Sequence, residues 1–213
     1  MVNTAVIKLE LGGVDDFDAP RGQRRAVNKA KRVAALLSAA RILIEQGSST
    51  DFTMQHLADK AGLSLATCYN LIGTKAAVLY ELLDEGLSKL AIQQVTISHA
   101  DPANRLKSMA LIAVRFFASE PNYYRPLMRY LLGVYEPTKR PRFMARASAF
   151  WRVAISTSLT DGAPTLKETD LEDLAQTLHL TFTGALDLWV HAELTKKEFE
   201  EAMIRQVKFL KIP

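Results

Sequence analysis

Apolar residues recur at three- and four-residue intervals through most of this chain, and no useful stretch alternates with a period of two. Val33, Leu36, Leu37, Ala40, Leu43 and Ile44 predict an amphipathic helix from about Val27 to Glu45, ended by Gln46-Gly47. Between Thr53 and Lys75 the spacing predicts two short helices, one through Leu57-Ala58 and one from Ser64 to Leu71. Gly73-Thr74-Lys75 then breaks the chain, and Val78, Leu79, Leu82, Leu83, Leu87 and Leu90 predict a connecting helix from Ala76 to about Gln94. Asp101-Pro102 reads as a capped start with proline in the first turn, followed by Leu106, Met109, Ile112 and Phe116 up to a stop at Glu120-Pro121. A short helix is expected from Tyr124 to about Gly133. Another, opened by Pro137 and Pro141, runs through Phe143, Ala147, Phe150 and Ile155. Gly162-Ala163-Pro164 reads as a loop, and two final helices are expected at Asp170 to about Glu193 and Lys196 to about Lys211. The fold class is all-α.

The stretch from Thr53 to Lys75 reads as a helix-turn-helix, and each key position has a steric reason. Ala58 is small where two helix axes must cross closely. Gly62 follows the last turn of the first helix, where a left-handed residue ends it at little cost. Leu57, Ala61, Leu63, Cys68 and Leu71 supply the apolar positions between the pair. Ser64 is a good N-cap for the second helix, the one suited to a major groove. The thiol of Cys68 falls where a small apolar residue is expected, so it reads as an inert buried group rather than a redox sensor.

Charge sharpens this picture. The chain has 213 residues, 48% of them hydrophobic, enough for one large core or two smaller ones, and its net charge is only +4. The distribution matters more than the sum. No acidic residue lies between Asp18 and Glu45, a run that holds Arg24, Arg25, Lys29 and Arg32, whereas Glu168 to Glu201 is rich in Asp and Glu. A basic end and an acidic body steer one end toward a polyanion. Residues 1–20 read as a flexible arm, 21–75 as the helix-turn-helix unit, and 76–213 as the rest. Arg24, Arg25 and Lys29, just before the motif, are expected to reach phosphate or the minor groove.

Other classes find little footing. A single cysteine rules out an internal disulfide and fits a reducing, cytoplasmic compartment. Lys8, Glu10, Asp15 and Asp16 interrupt any leader-like apolar run, and no window approaches the roughly 20 apolar residues of a membrane span. His56, His99, His179 and His191 lie in no metal-ligand spacing, and there is neither a phosphate-cradling glycine loop nor a G-x-S-x-G. No catalytic residue, metal, cofactor or membrane partner is expected.

The run from Arg32 to Lys75, with Glu45-Gln46-Gly47, Thr53, Leu57-Ala58, Ala61-Gly62-Leu63-Ser64, Thr67, Tyr69 and Lys75, resembles the head of TetR-family transcriptional regulators. It departs at Asn70-Leu71-Ile72-Gly73, where the family usually carries an aromatic residue. The resemblance implies roles for matching positions. Thr53 would offer its hydroxyl and nearby N–H groups to a phosphate, unless it serves only as an N-cap. Tyr69 and Lys75 match phosphate contacts. Ser64, Leu65, Ala66, Thr67 and Asn70 would form the groove face, with Asn70 pairing adenine and Leu65 and Ala66 touching thymine methyls.

The resemblance further implies a homodimer on a palindromic operator of double-stranded DNA, built from the last two helices. Leu174, Leu178, Phe182, Leu186 and Trp189 on one helix, with Phe199 and Met203 on the other, are the expected interface, with some of the stripe facing inward. It also implies an apolar or aromatic small-molecule effector in the central helices. Phe116, Phe117, Tyr123 and Met128 are candidates for the lining, as are Tyr130, Phe143, Phe150 and Trp151, although the same side chains would serve as ordinary core. Arg115, Arg125, Arg129 and Arg146 lie nearby as anchors for a carboxylate. The function expected is a ligand-responsive repressor. The alternatives are a DNA binder of the same fold without an effector, and a helical apolar-ligand carrier that has lost specific DNA binding.

Overall fold

A computed structural model describes residues 21–95, 102–159 and 166–210. The described residues form nine α-helices and no strand: α1 (Arg21–Gly47), α2 (Met54–Ala61), α3 (Leu65–Leu71), α4 (Lys75–Val95), α5 (Pro102–Ser119), α6 (Pro121–Gly133), α7 (Arg140–Ser156), α8 (Glu168–Val190) and α9 (Lys196–Phe209). The expected arm at 1–20, the cap at Asp101, the loop at Gly162-Ala163-Pro164 and the end of α9 at Lys211 fall outside the described residues.

Three helix starts differ from the periodic reading. α1 begins at Arg21, so Arg24, Arg25 and Lys29 belong to its first turns and not to an arm. Those turns are almost wholly exposed, so no apolar stripe marks them; good helix formers such as Arg, Gln, Ala and Lys carry the helix on. α6 begins at Pro121 rather than Tyr124, because a proline that ends one helix is equally suited to the first turn of the next. α7 begins at Arg140 rather than Pro137. There the buried Glu136 carboxylate accepts from the backbone N–H of Thr138 at 3.0 Å and from its hydroxyl at 2.7 Å, closing a turn before the helix starts.

α1, α2 and α3 pack around Leu36, Ala40, Ile44, Leu57, Ala58 and Cys68, all buried. Gly62 has φ 66° and ψ 33°. Around it, the N–H of Leu63 donates to Ala58 O at 3.0 Å, the reversed bond pattern that closes a helix on a left-handed residue. Ile72 packs half-buried against this core, which is where the aliphatic run after Tyr69 goes.

The larger bundle is made by α4, α5, α7, α8 and α9, with α6 lying between it and α1. Phe182 of α8 organises it. Its ring centroid lies 5.8 Å from Phe117 of α5, 5.3 Å from Trp151 of α7 and 5.3 Å from Phe199 of α9. Trp189 closes the cluster at 6.4 Å from Phe199. These tilted contacts suit aromatic quadrupoles and bury large apolar area at once. Gly86 on α4 permits close approach, since a Cβ there would stand 3.3 Å from the Phe116 ring.

Six residues expected across a dimer axis are therefore core of the same chain: Leu178, Phe182, Leu186, Trp189, Phe199 and Met203 are all buried, and Leu174 is half-buried against them. A stripe at helical period reveals that a face is apolar, not whether it meets its own chain or another. Replacing Phe182 with alanine should lower the unfolding free energy by about 3–5 kcal/mol, because three neighbouring rings lose their common partner. Urea unfolding followed by tryptophan fluorescence measures it, and a loss well under this range would show that the cluster collapses to fill the gap.

Candidate functional site

The first candidate surface is the outer side of α3. Ser64 caps this helix, its Oγ accepting from the Thr67 N–H at 3.2 Å and lying 2.7 Å from Thr67 Oγ1. Cys68 points inward and is fully buried, and burial raises its thiol pKa above the ordinary value. The helical period then turns Ala66, Tyr69 and Asn70 outward together, and all three are exposed. Leu65 is half-buried, packed against the core of α1–α3, so only part of it is presented outward.

Thr53 caps α2, its Oγ1 accepting from the His56 N–H at 3.1 Å. Thr74 caps α4 in the same way, accepting from the Ala77 N–H at 3.2 Å. Along α1, the side chains of Arg25, Lys29, Lys31 and Arg32 are exposed, while Arg24 is half-buried. Lys75 has a different environment. Its ammonium lies 4.9 Å from the Phe52 ring and 5.0 Å from the Tyr130 ring, and desolvation lowers its pKa. It joins the head to α6.

A second contact of the same kind lies further along α6. The Arg41 guanidinium stands 4.3 Å over the Tyr123 ring and pairs with Glu45 at 2.6 Å and with Glu120. Tyr123 and Tyr130, expected in a pocket, thus face the head. Phe116 also stands outside the cavity, packed on Tyr124 at 5.1 Å and against Gly86.

The other expected residues do meet around a cavity. Phe117, Met128, Phe143, Phe150 and Trp151 line a space of about 70 Å³ between α4, α5, α6, α7 and α8. Sequence reasoning missed the α4 wall of Tyr80, Leu83, Leu87 and Leu90, and the α8 wall of His179, Phe182 and Leu186. The i, i+4, i+7 row of Leu83, Leu87 and Leu90 was visible, but nothing in it separates a cavity wall from solid core. The polar groups at the lining are the Tyr80 hydroxyl, Arg140, His179 and Thr183. Arg140 donates to Tyr80 Oη at 3.3 Å.

The four arginines expected as anchors are engaged elsewhere. Arg115 pairs with Glu200 at 3.1 Å, Arg125 lies 4.7 Å over the Trp189 ring, and Arg129 donates to the Val190 carbonyl at 2.9 Å. Arg146 pairs with Asp84 and donates to Ser88 Oγ at 2.9 Å. On the outer side of α8, Thr177, Leu180, Gly184 and Leu188 are exposed in one row, with Leu180 at 60% of its full accessibility. Among the described residues no helix is long and apolar enough to cross a membrane, and no group of three His, Cys, Asp or Glu side chains could hold a metal ion.

This arrangement is shared with solved structures. A TetR transcriptional regulator from Rhodococcus sp. RHA1 matches with a TM-score of 0.71 over 87% of this chain and 98% of its own, at 16% identity. A protein described as a TetR-family transcriptional regulator from Syntrophomonas wolfei str. Goettingen matches with a TM-score of 0.68, covering 87% of this chain and 97% of its own at 18% identity. The TetR-family regulator PfmR from Thermus thermophilus matches at 0.50, over 83% of this chain and 93% of its own, at 22% identity. No family model and no curated protein matches the chain. The fold is that of TetR-family transcriptional regulators.

His179 provides a titratable reporter of the cavity. Its burial lowers the imidazole pKa below the ordinary 6.5. As pH falls through about 6.5, the unfolded chain takes a proton that the folded site resists, so folded stability falls. Denaturation midpoints between about pH 8 and about pH 5 should therefore drop more steeply in the wild type than in His179→Gln. Parallel profiles would show that this imidazole is solvated when folded.

Proposed function

We propose that this chain is a cytoplasmic, homodimeric transcriptional repressor that binds a palindromic operator in double-stranded DNA and is released by a hydrophobic small molecule. The observation that carries the reading is the position of α6. One side of it supplies Met128, Leu131 and Leu132 to the cavity, while Tyr123 and Tyr130 engage Arg41 and Lys75 on the head side. A ligand that displaces the first set disturbs the second. Operator affinity then falls by the ligand's differential affinity for the displaced arrangement.

On this reading Ala66 and Asn70 meet the major groove, with Ser64, Leu65 and Thr67 beside them, while Arg24, Arg25, Lys29, Tyr69, Lys75 and the capped start at Thr53 hold phosphates. Two such heads would stand about one turn of DNA apart, roughly 34–36 Å, or a small multiple of it. The domain division is a head at 21–75 and an effector and dimer unit at 76–213, with 1–20 as an arm. The dimer seam would use the outward row of α8 at Thr177, Leu180, Gly184 and Leu188. A cavity of about 70 Å³ is far below the roughly 300–1,000 Å³ of drug-sized sites, so the effector is small or enters by displacing side chains. That small volume favours one second reading, a DNA-binding protein of this fold without a small-molecule effector.

Selection from a random duplex library at near-physiological salt should enrich a palindrome. Asn70→Ala should relax preference at one base position, whereas Lys29→Ala should weaken all duplexes alike and reduce the salt slope by about one. Failure to enrich any sequence would refute specific DNA binding. Sedimentation should give a dimer that Leu180→Asp converts to monomer; a dimer indifferent to this charge would move the seam elsewhere.

A further inference from the structure

We propose that the ligand of the central cavity is an amphipathic monocarboxylate, its apolar part against Leu83, Phe117 and Met128 and its carboxylate held by Arg140 and Tyr80. This names the ligand class for the effector cavity and rests on that reading. Most cations around α7 have carboxylate partners. Lys139 pairs with Glu81 at 2.5 Å, Arg142 with Asp84 at 3.4 Å, Arg146 with Asp84, and Arg152 with Glu168. Arg140 is different. Among the described residues no carboxylate stands within ion-pair reach of it, and its hydrogen bond goes to the neutral Tyr80 hydroxyl at 3.3 Å.

Arginine stays charged at any physiological pH, so a half-buried guanidinium facing an apolar cavity favours an anion there. Tyr80 adds a matching donor. The residue is 2% exposed, and its oxygen accepts from Arg140 while its O–H proton meets no acceptor among the described residues. A guanidinium without an anion and a buried phenol with a proton to donate thus lie side by side at one cavity wall. One carboxylate satisfies both. One oxygen accepts from the guanidinium and the other from the Tyr80 hydroxyl, with charge assistance in each bond. The remaining wall is almost wholly aliphatic and aromatic, which suits an acyl chain or a small arene and disfavours a second charge. His179 is kept neutral by burial and does not compete as a cationic anchor.

The test uses the full chain without DNA and compares hexanoate with hexan-1-ol, which share an apolar tail and differ in the anion. Quenching of tryptophan fluorescence reports binding, because Trp151 lines the cavity. Hexanoate should bind about tenfold tighter or more, the size expected when charge-assisted bonds replace a neutral one. Arg140→Gln should remove this preference, bringing the affinities for the two probes together, and Tyr80→Phe should reduce it partly. Equal affinity of the wild type for the two probes would overturn the carboxylate anchor and leave the effector cavity standing. Binding of neither probe would overturn the cavity reading itself, and the anchor with it. A preference that survives in Arg140→Gln would place the anchor on another cation. The wild-type comparison decides the matter even if the variants fold poorly.

Discussion

The larger bundle depends on the ring of Phe182. It touches aromatic rings from α5, α7 and α9, so a single side chain ties three helices to the one that carries it. The same ring lines the cavity. Core packing and any change in cavity contents are therefore not independent. A densely packed interior adjusts by moving between discrete arrangements rather than by yielding smoothly. Such a bundle is suited to convert occupancy of a small space into displacement of a whole helix.

On the proposed reading, α6 is the helix that a ligand displaces. It is short, and Pro126 sits inside it, removing one backbone donor from its hydrogen-bond ladder. Its contacts with the head include two cation–ring pairs, Arg41 over Tyr123 and Lys75 beside Tyr130, and the pairing of Arg41 with Glu120 just before the helix. Cation–ring contacts are directional and modest in strength, about 0.5–2 kcal/mol each. The surfaces of α4 and α7 are joined differently, by the pairs of Glu81 and Asp84 with Lys139, Arg142 and Arg146, which close one side of the bundle beside the cavity.

The head itself illustrates how little sequence a helix-turn-helix needs. Ala58 and Gly62 permit the crossing and the reversal, Ser64 fixes where α3 begins, and Cys68 anchors its inner face. Once these are set, the helical period alone decides that Ala66, Tyr69 and Asn70 emerge on one side. The caps at Thr53 and Thr74 fix the starts of the neighbouring helices by the same chemistry.

Those local features were legible in the sequence because each depends on residues within a turn or two of one another: the caps at Thr53 and Ser64, the left-handed Gly62, the period of the apolar helix faces and the all-α class. Helix starts were less legible where proline serves two helices, at Pro121, or where an exposed helix carries no apolar stripe, at Arg21. The candidate cavity was legible only in part. Five of its residues stand out in the sequence by their aromatic or thioether side chains, but Tyr123, Tyr130 and Phe116 have the same chemistry and face elsewhere. Composition cannot tell these apart, because direction around a helix is assigned by its neighbours. The same limit explains why Leu178, Phe182 and Trp189 looked fit for a partner and turned out to be core, and why Arg140 went unremarked among many arginines. Sequence by itself determined the helices and their caps, which are short-range properties of the backbone. Only tertiary structure decided which faces meet, which cations find carboxylates and where space remains, because those depend on residues far apart in the chain competing for the same contacts.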